Sequence, residues 1–142
     1  MRTVAQLLME KPRRLLDIDP DATVLEAVQR MADHHVGSLL VMRDGRLVGI
    51  VTERDYARKV ILRNRTSATT QVLDIMTASV ITVDPHVSAR QCMRMMTDQR
   101  IRHLPVVEHG EVIGMVSIGD LVRAVIEDQQ QEIEHLQHYI AG

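Results

Sequence analysis

Two seven-residue stretches hold the side chains best placed to do chemistry. Residues 49–55 read G-I-V-T-E-R-D and residues 114–120 read G-M-V-S-I-G-D, 65 positions further on. Both fit one pattern: glycine, two apolar residues, a hydroxyl residue, two variable residues, aspartate. A hydroxyl and a carboxylate three residues apart form a capping box at a helix start. The hydroxyl then satisfies a free backbone N–H, and the carboxylate suits the positive end of the helix dipole. The same pair suits a sugar-phosphate site. A carboxylate accepts from the two vicinal hydroxyls of a ribose, while the hydroxyl and free N–H groups hold phosphate or ribose oxygens. Glycine at 49 and 114 admits close approach by a ligand or by another stretch of backbone. Taken alone, the residues leave capping and binding both open.

These stretches belong to a longer repeat. Shifted by 65, residues 19–61 lie on 84–126 without a gap, and the identical pairs include Asp19/Asp84, Pro20/Pro85, Met31/Met96, Leu39/Leu104, Gly45/Gly110 and Val51/Val116. Each copy predicts the same elements. A short strand (15–18, 80–83) is followed by an Asp-Pro turn. Thr23-x-x-Glu26 and Ser88-x-x-Gln91 are capping boxes opening a first helix. Apolar runs at 38–42 and 103–107 precede the turn signals Asp44-Gly45 and His109-Gly110, and 46–51 and 111–116 return as strands. A second helix follows, about 53–63 and 118–139. The predicted organisation is a first repeat over 1–63 with its N-terminal segment, a polar linker over 64–71, a second repeat over 72–126 and a helical extension over 127–142. One half has roughly 60 residues, marginal for a core of its own. The expectation is therefore an α+β fold of two βαββα repeats packed sheet to sheet with pseudo-twofold symmetry, two equivalent clefts between them, and an extended C-terminal helix.

Composition narrows the function classes. The formal net charge is −2, without the basic face usual in duplex binding, so a nucleic-acid partner is not expected. There is no Phe or Trp, so Val, Ile, Leu, Ala and nine Met fill the interior. The single Cys92 falls on the apolar stripe of a helix and reads as a buried, inert thiol in a reducing compartment, with the cytoplasm as default. No apolar run is long enough to span a membrane, and none reads as a signal peptide. His34-His35 sit where histidine suits a helix C-terminus, and no further ligands stand at metal spacing.

The tandem βαββα repeat with G-h-h-[ST]-x-x-D resembles a pair of CBS domains, named after cystathionine β-synthase. The resemblance runs over about residues 1–126 and takes in V-L-D-I-M-T at 72–77 and R-H-L-P-V-V at 102–107. G-I-V-T-E-R-D-Y-A-R-K-V at 49–60 is particularly similar to small stand-alone CBS-pair proteins of bacteria and plants. It implies a non-enzymatic sensor whose clefts take an adenine nucleotide (AMP, ADP, ATP or NAD(H)), with S-adenosylmethionine ranked behind them and no metal required. By motif position it implies one site with Thr52 and Asp55 and another with Ser117 and Asp120. Ile50 and Met115 pack on base or ribose. Thr77, Ala78, Ile101 and Arg102 complete the Asp55 site, and Arg13, Val36 and Gly37 the Asp120 site. Arg54 and His103 meet phosphates, with Arg13, Arg14 and Lys59 ranked after them.

The copies are unequal. Arg54 faces Gly119 across the repeat, Leu40 faces Pro105, and Arg13 stands where the second copy has the small Ala78. The Asp55 site is expected to bind more tightly. Beyond the repeat, Val122, Val125, Gln129, Ile133, Leu136 and Ile140 recur at three- and four-residue steps, an apolar seam that asks for a partner and points to a homodimer. Two other readings stay open: a structural dimerisation module whose motif only caps helices, and a nucleotide-hydrolysing enzyme.

Overall fold

Hydroxyl residues set where the helices begin. The structure is a computed structural model describing residues 2–10 and 15–141. Thr3, Thr23, Thr52 and Ser88 each stand in extended backbone and accept a hydrogen bond from the N–H three residues on. The helices that follow are α1 (Val4–Met9), α2 (Val24–His34), α3 (Glu53–Tyr56), α4 (Ala89–Gln99) and α5 (Ile118–Ala141). The strands are β1 (Asp17–Ile18), β2 (Ser38–Arg43), β3 (Arg46–Thr52), β4 (His103–Glu108) and β5 (Glu111–Ser117). α2 and α4 both end on a left-handed residue, His35 and Arg100, at equivalent places in the repeat. The His34-His35 pair thus forms a helix end.

β1 pairs parallel to β2, β2 antiparallel to β3, and β4 antiparallel to β5. Both hairpins turn as expected. Asp44-Gly45 and His109-Gly110 all have positive φ, between 52° and 80°, which matches the right-handed twist of the flanking strands. Each hairpin also has an irregularity one step into the ladder, between Val41 and Met42 and between Val106 and Val107. The strand expected at 80–83 shrinks to a single parallel bridge, Val83 to Val106, because among its residues only Val83 bonds to β4.

The second helix of the first copy, expected as one run over 53–63, is a four-residue α3 continued by a π turn over Ala57–Ile61. In the second copy the equivalent residues begin the regular α5.

The chain forms two compact units. One is Leu15–Ile81, and the other joins the N-terminal segment to the chain from Thr82 onward. The packing units therefore differ from the repeats as counted along the sequence. In the first unit, Val72 N–H donates to Ala22 O (2.9 Å) and Leu73 N–H to Pro20 O (2.9 Å). In the second, Val4 N–H donates to Val87 O (2.8 Å) and Ala5 N–H to Pro85 O (2.9 Å). Each repeat is thus closed by the segment that leads into the other one. Val72 and Ile75 are buried in the first core with Ile18, Val24, Ala27, Met31, Leu39, Val41 and Val51. In the second unit Val4 and Leu7 are buried, as are Val83, Ala89, Cys92, Met96, Leu104, Val106 and Val116, which occupy the equivalent repeat positions. Burial, and after it the charge of Asp84, pushes the Cys92 thiol up to about 11.

The motif glycines make room for these closing segments. A Cβ at Gly49 would lie 2.6 Å from Met76 Sδ and 3.0 Å from Thr77 O, and one at Gly114 would lie 2.8 Å from Leu8 Cδ2. Gly49→Ala presses on a backbone carbonyl that is tied into the sheet, whereas Gly114→Ala meets only the end of a leucine side chain. Gly49→Ala is expected to cost about 1–3 kcal/mol and Gly114→Ala less, because the leucine can rotate away. Urea unfolding of the two variants checks the order, and the reverse order would show that the 72–77 segment yields more easily than Leu8.

Candidate functional site

The two motifs fold into the same local frame. In the first unit Asp55 N–H donates to Thr52 Oγ1 (3.1 Å), and Asp55 Oδ2 accepts from Thr52 N–H (3.0 Å) and from the Thr52 hydroxyl (3.1 Å). In the second, Asp120 N–H donates to Ser117 Oγ (3.3 Å) and Asp120 Oδ2 accepts from Ser117 N–H (2.9 Å). The start of each helix is fixed from outside as well. Glu53 N–H donates to Gly37 O (3.1 Å), and Ile118 N–H donates to Arg102 O (2.9 Å), the same bond at equivalent positions. The capping box expected from the pattern is therefore formed twice.

The two carboxylates differ in what flanks them. The Asp55 side chain is only 11% exposed, and its Oδ1 lies 3.1 Å from Lys59 Nζ, one helical turn on. Lys59 also donates to Ile75 O (2.8 Å), so it ties the motif to the segment that closes the unit. The second copy has Ala124, buried, where the first has Lys59. The resemblance ranked Lys59 behind Arg54 and His103, although Asp55 and Lys59 stand at the i, i+4 separation that brings side chains together on a helix.

The other expected residues fall within one unit or the other. The Leu15–Ile81 unit gathers Ile50, Thr52, Arg54, Asp55, Thr77 and Ala78, together with Val36 and Gly37. Ile50 and Thr77 exchange backbone bonds of 3.0 and 2.9 Å. Ile50 is buried, whereas Thr77, Ala78 and Arg54 are exposed. The other unit gathers Ile101, Arg102, His103, Met115, Ser117 and Asp120, with His103 opposite Ser117 and Met115 opposite Pro105 in the β4–β5 ladder. Arg13 and Arg14 lie outside the described residues. Two open depressions of about 500 and 590 Å³ lie elsewhere on the first unit. One is lined by α2 and the turn before it, with residues such as Arg30 and Asp19, the other by the 64–74 stretch, and neither includes a motif residue. Among the described residues no three His, Cys, Asp or Glu side chains gather as a metal site, and no helix is long and apolar enough to cross a membrane.

A doubled hairpin-and-helix unit, with a capped Ser/Thr-Asp pair at the same place in each copy, defines a tandem-repeat module of mixed helix and strand. The CBS domain family model matches residues 4–62 and 72–127, and the chain belongs to the CBS domain family as a two-repeat protein. It is 49% identical over 127 residues to the mitochondrial CBS domain-containing protein CBSX3 of Arabidopsis thaliana, an alignment covering 86% of this chain and 62% of the relative's length. Among solved structures it is similar to a signal-transduction protein with CBS domains from Burkholderia ambifaria (49% identity, TM-score 0.87), with 89% of this chain and 96% of that one covered. It also shares the fold, at 24% identity and a TM-score of 0.80, of a CBS domain pair crystallised with 5′-methylthioadenosine and S-adenosyl-L-methionine, over 90% of this chain and 98% of that one.

Ser117→Ala removes the cap bond to Asp120 N–H, and Thr52→Ala removes the cap bond to Asp55 N–H together with the hydroxyl's bond to Asp55 Oδ2, and each leaves the Asp acceptor facing a backbone N–H. Each is expected to lower stability by about 1 kcal/mol, the usual worth of a hydroxyl cap. Denaturant midpoints at unchanged slope are the check.

Proposed function

We propose that this CBS pair is a non-enzymatic regulatory module, cytoplasmic and homodimeric, that binds an adenosine-containing nucleotide (AMP, ATP or NAD(H)), with Asp55 and Asp120 as ribose anchors. The observation that carries the reading is the repeated frame. In each unit a hydroxyl, a backbone N–H and a fixed helix start hold a carboxylate in one orientation, and a ribose diol needs an acceptor held that way. The CBS pair crystallised with two adenosyl compounds supports the adenosyl class of ligand. A second reading, a dimerisation module whose motifs only cap helices, is favoured by one specific observation: both boxes are closed by the chain's own groups.

Lys59 bears on the choice between them. A carboxylate has about four acceptor positions. At Asp55 three are taken, by Thr52 N–H, the Thr52 hydroxyl and Lys59. A ribose diol takes two, so one present donor must leave. The ammonium is on a flexible stem and about a third exposed, so it is the donor that leaves. Released from Asp55, it is free to meet a phosphate of the same ligand.

Thermal unfolding with AMP, ATP, NAD, NADH and S-adenosylmethionine tests the reading. A ligand at about 100 times its Kd should add roughly 2.7 kcal/mol per site, and Asp55→Ala or Asp120→Ala should remove the shift. The absence of any shift, with both Asp variants destabilised, would leave the capping reading standing. Lys59→Met is expected to tighten adenosine and weaken ATP relative to the wild type, as read by calorimetry. The same change for both ligands would place Lys59 outside the site.

A further inference from the structure

α5 runs far past the packing of its own unit. Leu121 and Ala124 are buried, but every residue from Gln129 to Ala141 is exposed. Along this stretch Val122, Ile126, Gln129, Ile133, Leu136 and Ile140 recur at strictly alternating steps of four and three. Ile126, Ile133 and Ile140 then take heptad position a, and Val122, Gln129 and Leu136 take position d. Ile126 is 60% exposed, Ile133 48%, Leu136 59% and Ile140 81%. Leu121 and Ala124 stand at positions c and f, so the face they bury is turned away from the seam. Glu132 flanks the seam at position g, whereas Glu127 (3.0 Å) and Asp128 (3.2 Å) pair with Arg2 at the outer positions b and c.

We infer that this seam pairs with the same seam of a second copy of the chain as a parallel, in-register, two-stranded coiled coil. The inference rests on the self-association proposed above and specifies it. Three features select the occupant and the arrangement. In a parallel coiled coil β-branched Ile at a with Leu at d, as at Leu136, favours two strands. The flanking positions e and g carry Arg123, Val125, Gln130, Glu132, Gln137 and Tyr139, so a parallel pair sets Glu132 against the partner's Gln137 and brings no like charges together. The third feature is Gln129, the one polar residue in the seam. An antiparallel pair packs d against a, and every a residue is Ile, so Gln129 would be buried with no hydrogen-bond partner. A parallel pair slipped by a heptad sets it against Val122 or Leu136, with the same cost. Only the parallel, in-register pair brings the two Gln129 amides together, where each donates to the other.

Light scattering on the full chain is expected to give the mass of a dimer. Ile133→Glu should weaken self-association by about tenfold or more, since it sets two buried charges against each other, while far-UV circular dichroism and urea unfolding of the repeats stay close to wild type. Leu136→Cys under mild oxidation should crosslink nearly completely, and Glu134→Cys, at an outer position, should not. Cys92 is buried with its thiol pushed up to about 11, so it does not compete. A monomeric wild-type chain would overturn both the self-association and this inference. A dimer that persists in Ile133→Glu would overturn the inference alone by placing the interface elsewhere. A dimer lost in Ile133→Glu but with no Leu136→Cys crosslink would overturn the parallel register.

Discussion

The backbone bonds that dock each leading segment beside an Asp-Pro turn are what closes the two cores. Val72 on Ala22 and Val4 on Val87 are the same contact made twice, and each brings a fully buried valine with it. Burying such a side chain is worth about 1.5–3 kcal/mol, more than any single surface ion pair in the molecule. The first contact is local to its unit. The second spans the whole of the other unit, since residues 2–10 must return to a core built from 82 onward. Loop-closure entropy grows only slowly with length, so the long return is affordable. It also explains the motif glycines, because the closing segment lies where a Cβ would be.

That closure positions the motif. Thr77 exchanges both backbone bonds with Ile50, and Lys59 reaches from Asp55 to Ile75 O, so the segment that seals the first core also fixes the carboxylate. Capping and ligand binding therefore call on the same atoms without competing for the same geometry. A cap holds the carboxylate oriented, and an acceptor already oriented spares a ligand the entropy of ordering it. Closed boxes are what a prepared site looks like, and also what a plain helix start looks like. Only the response to a ligand separates the two.

Much of this was legible in the residues. The 65-residue repeat, both Gly-containing hairpins, the boxes at Thr52 and Ser117 and the seam after Val122 follow from local rules of spacing and turn chemistry. Three features were not. The leading segments align at an offset different from 65, Val4 with Val72 and Leu8 with Met76, so an ungapped comparison passes over them, and nothing local says which core they enter. The strand at 80–83 keeps only the Val83 bridge, because ladder bonds depend on a neighbour in space. The π turn at Ala57–Ile61 has the composition of an ordinary helix. Its register is set by tertiary contacts, among them the buried Val60 and the reach of Lys59 to Ile75.

The repeat has diverged where function would divide. The buried core positions are matched pair by pair, from Ile18/Val83 to Val51/Val116, because each closes an equivalent volume. Beside the motif, the copies differ on the second helix. Arg54 and Lys59 in the first correspond to Gly119 and Ala124 in the second, and a short helix with a π turn corresponds to a long regular one. Ala124 is buried against its own unit where the first copy has Lys59, whose ammonium needs an exit to solvent or a charged partner. The first copy thus holds the Lys59 ammonium beside its carboxylate, and the second continues from the same repeat position into a long regular helix whose apolar seam is exposed.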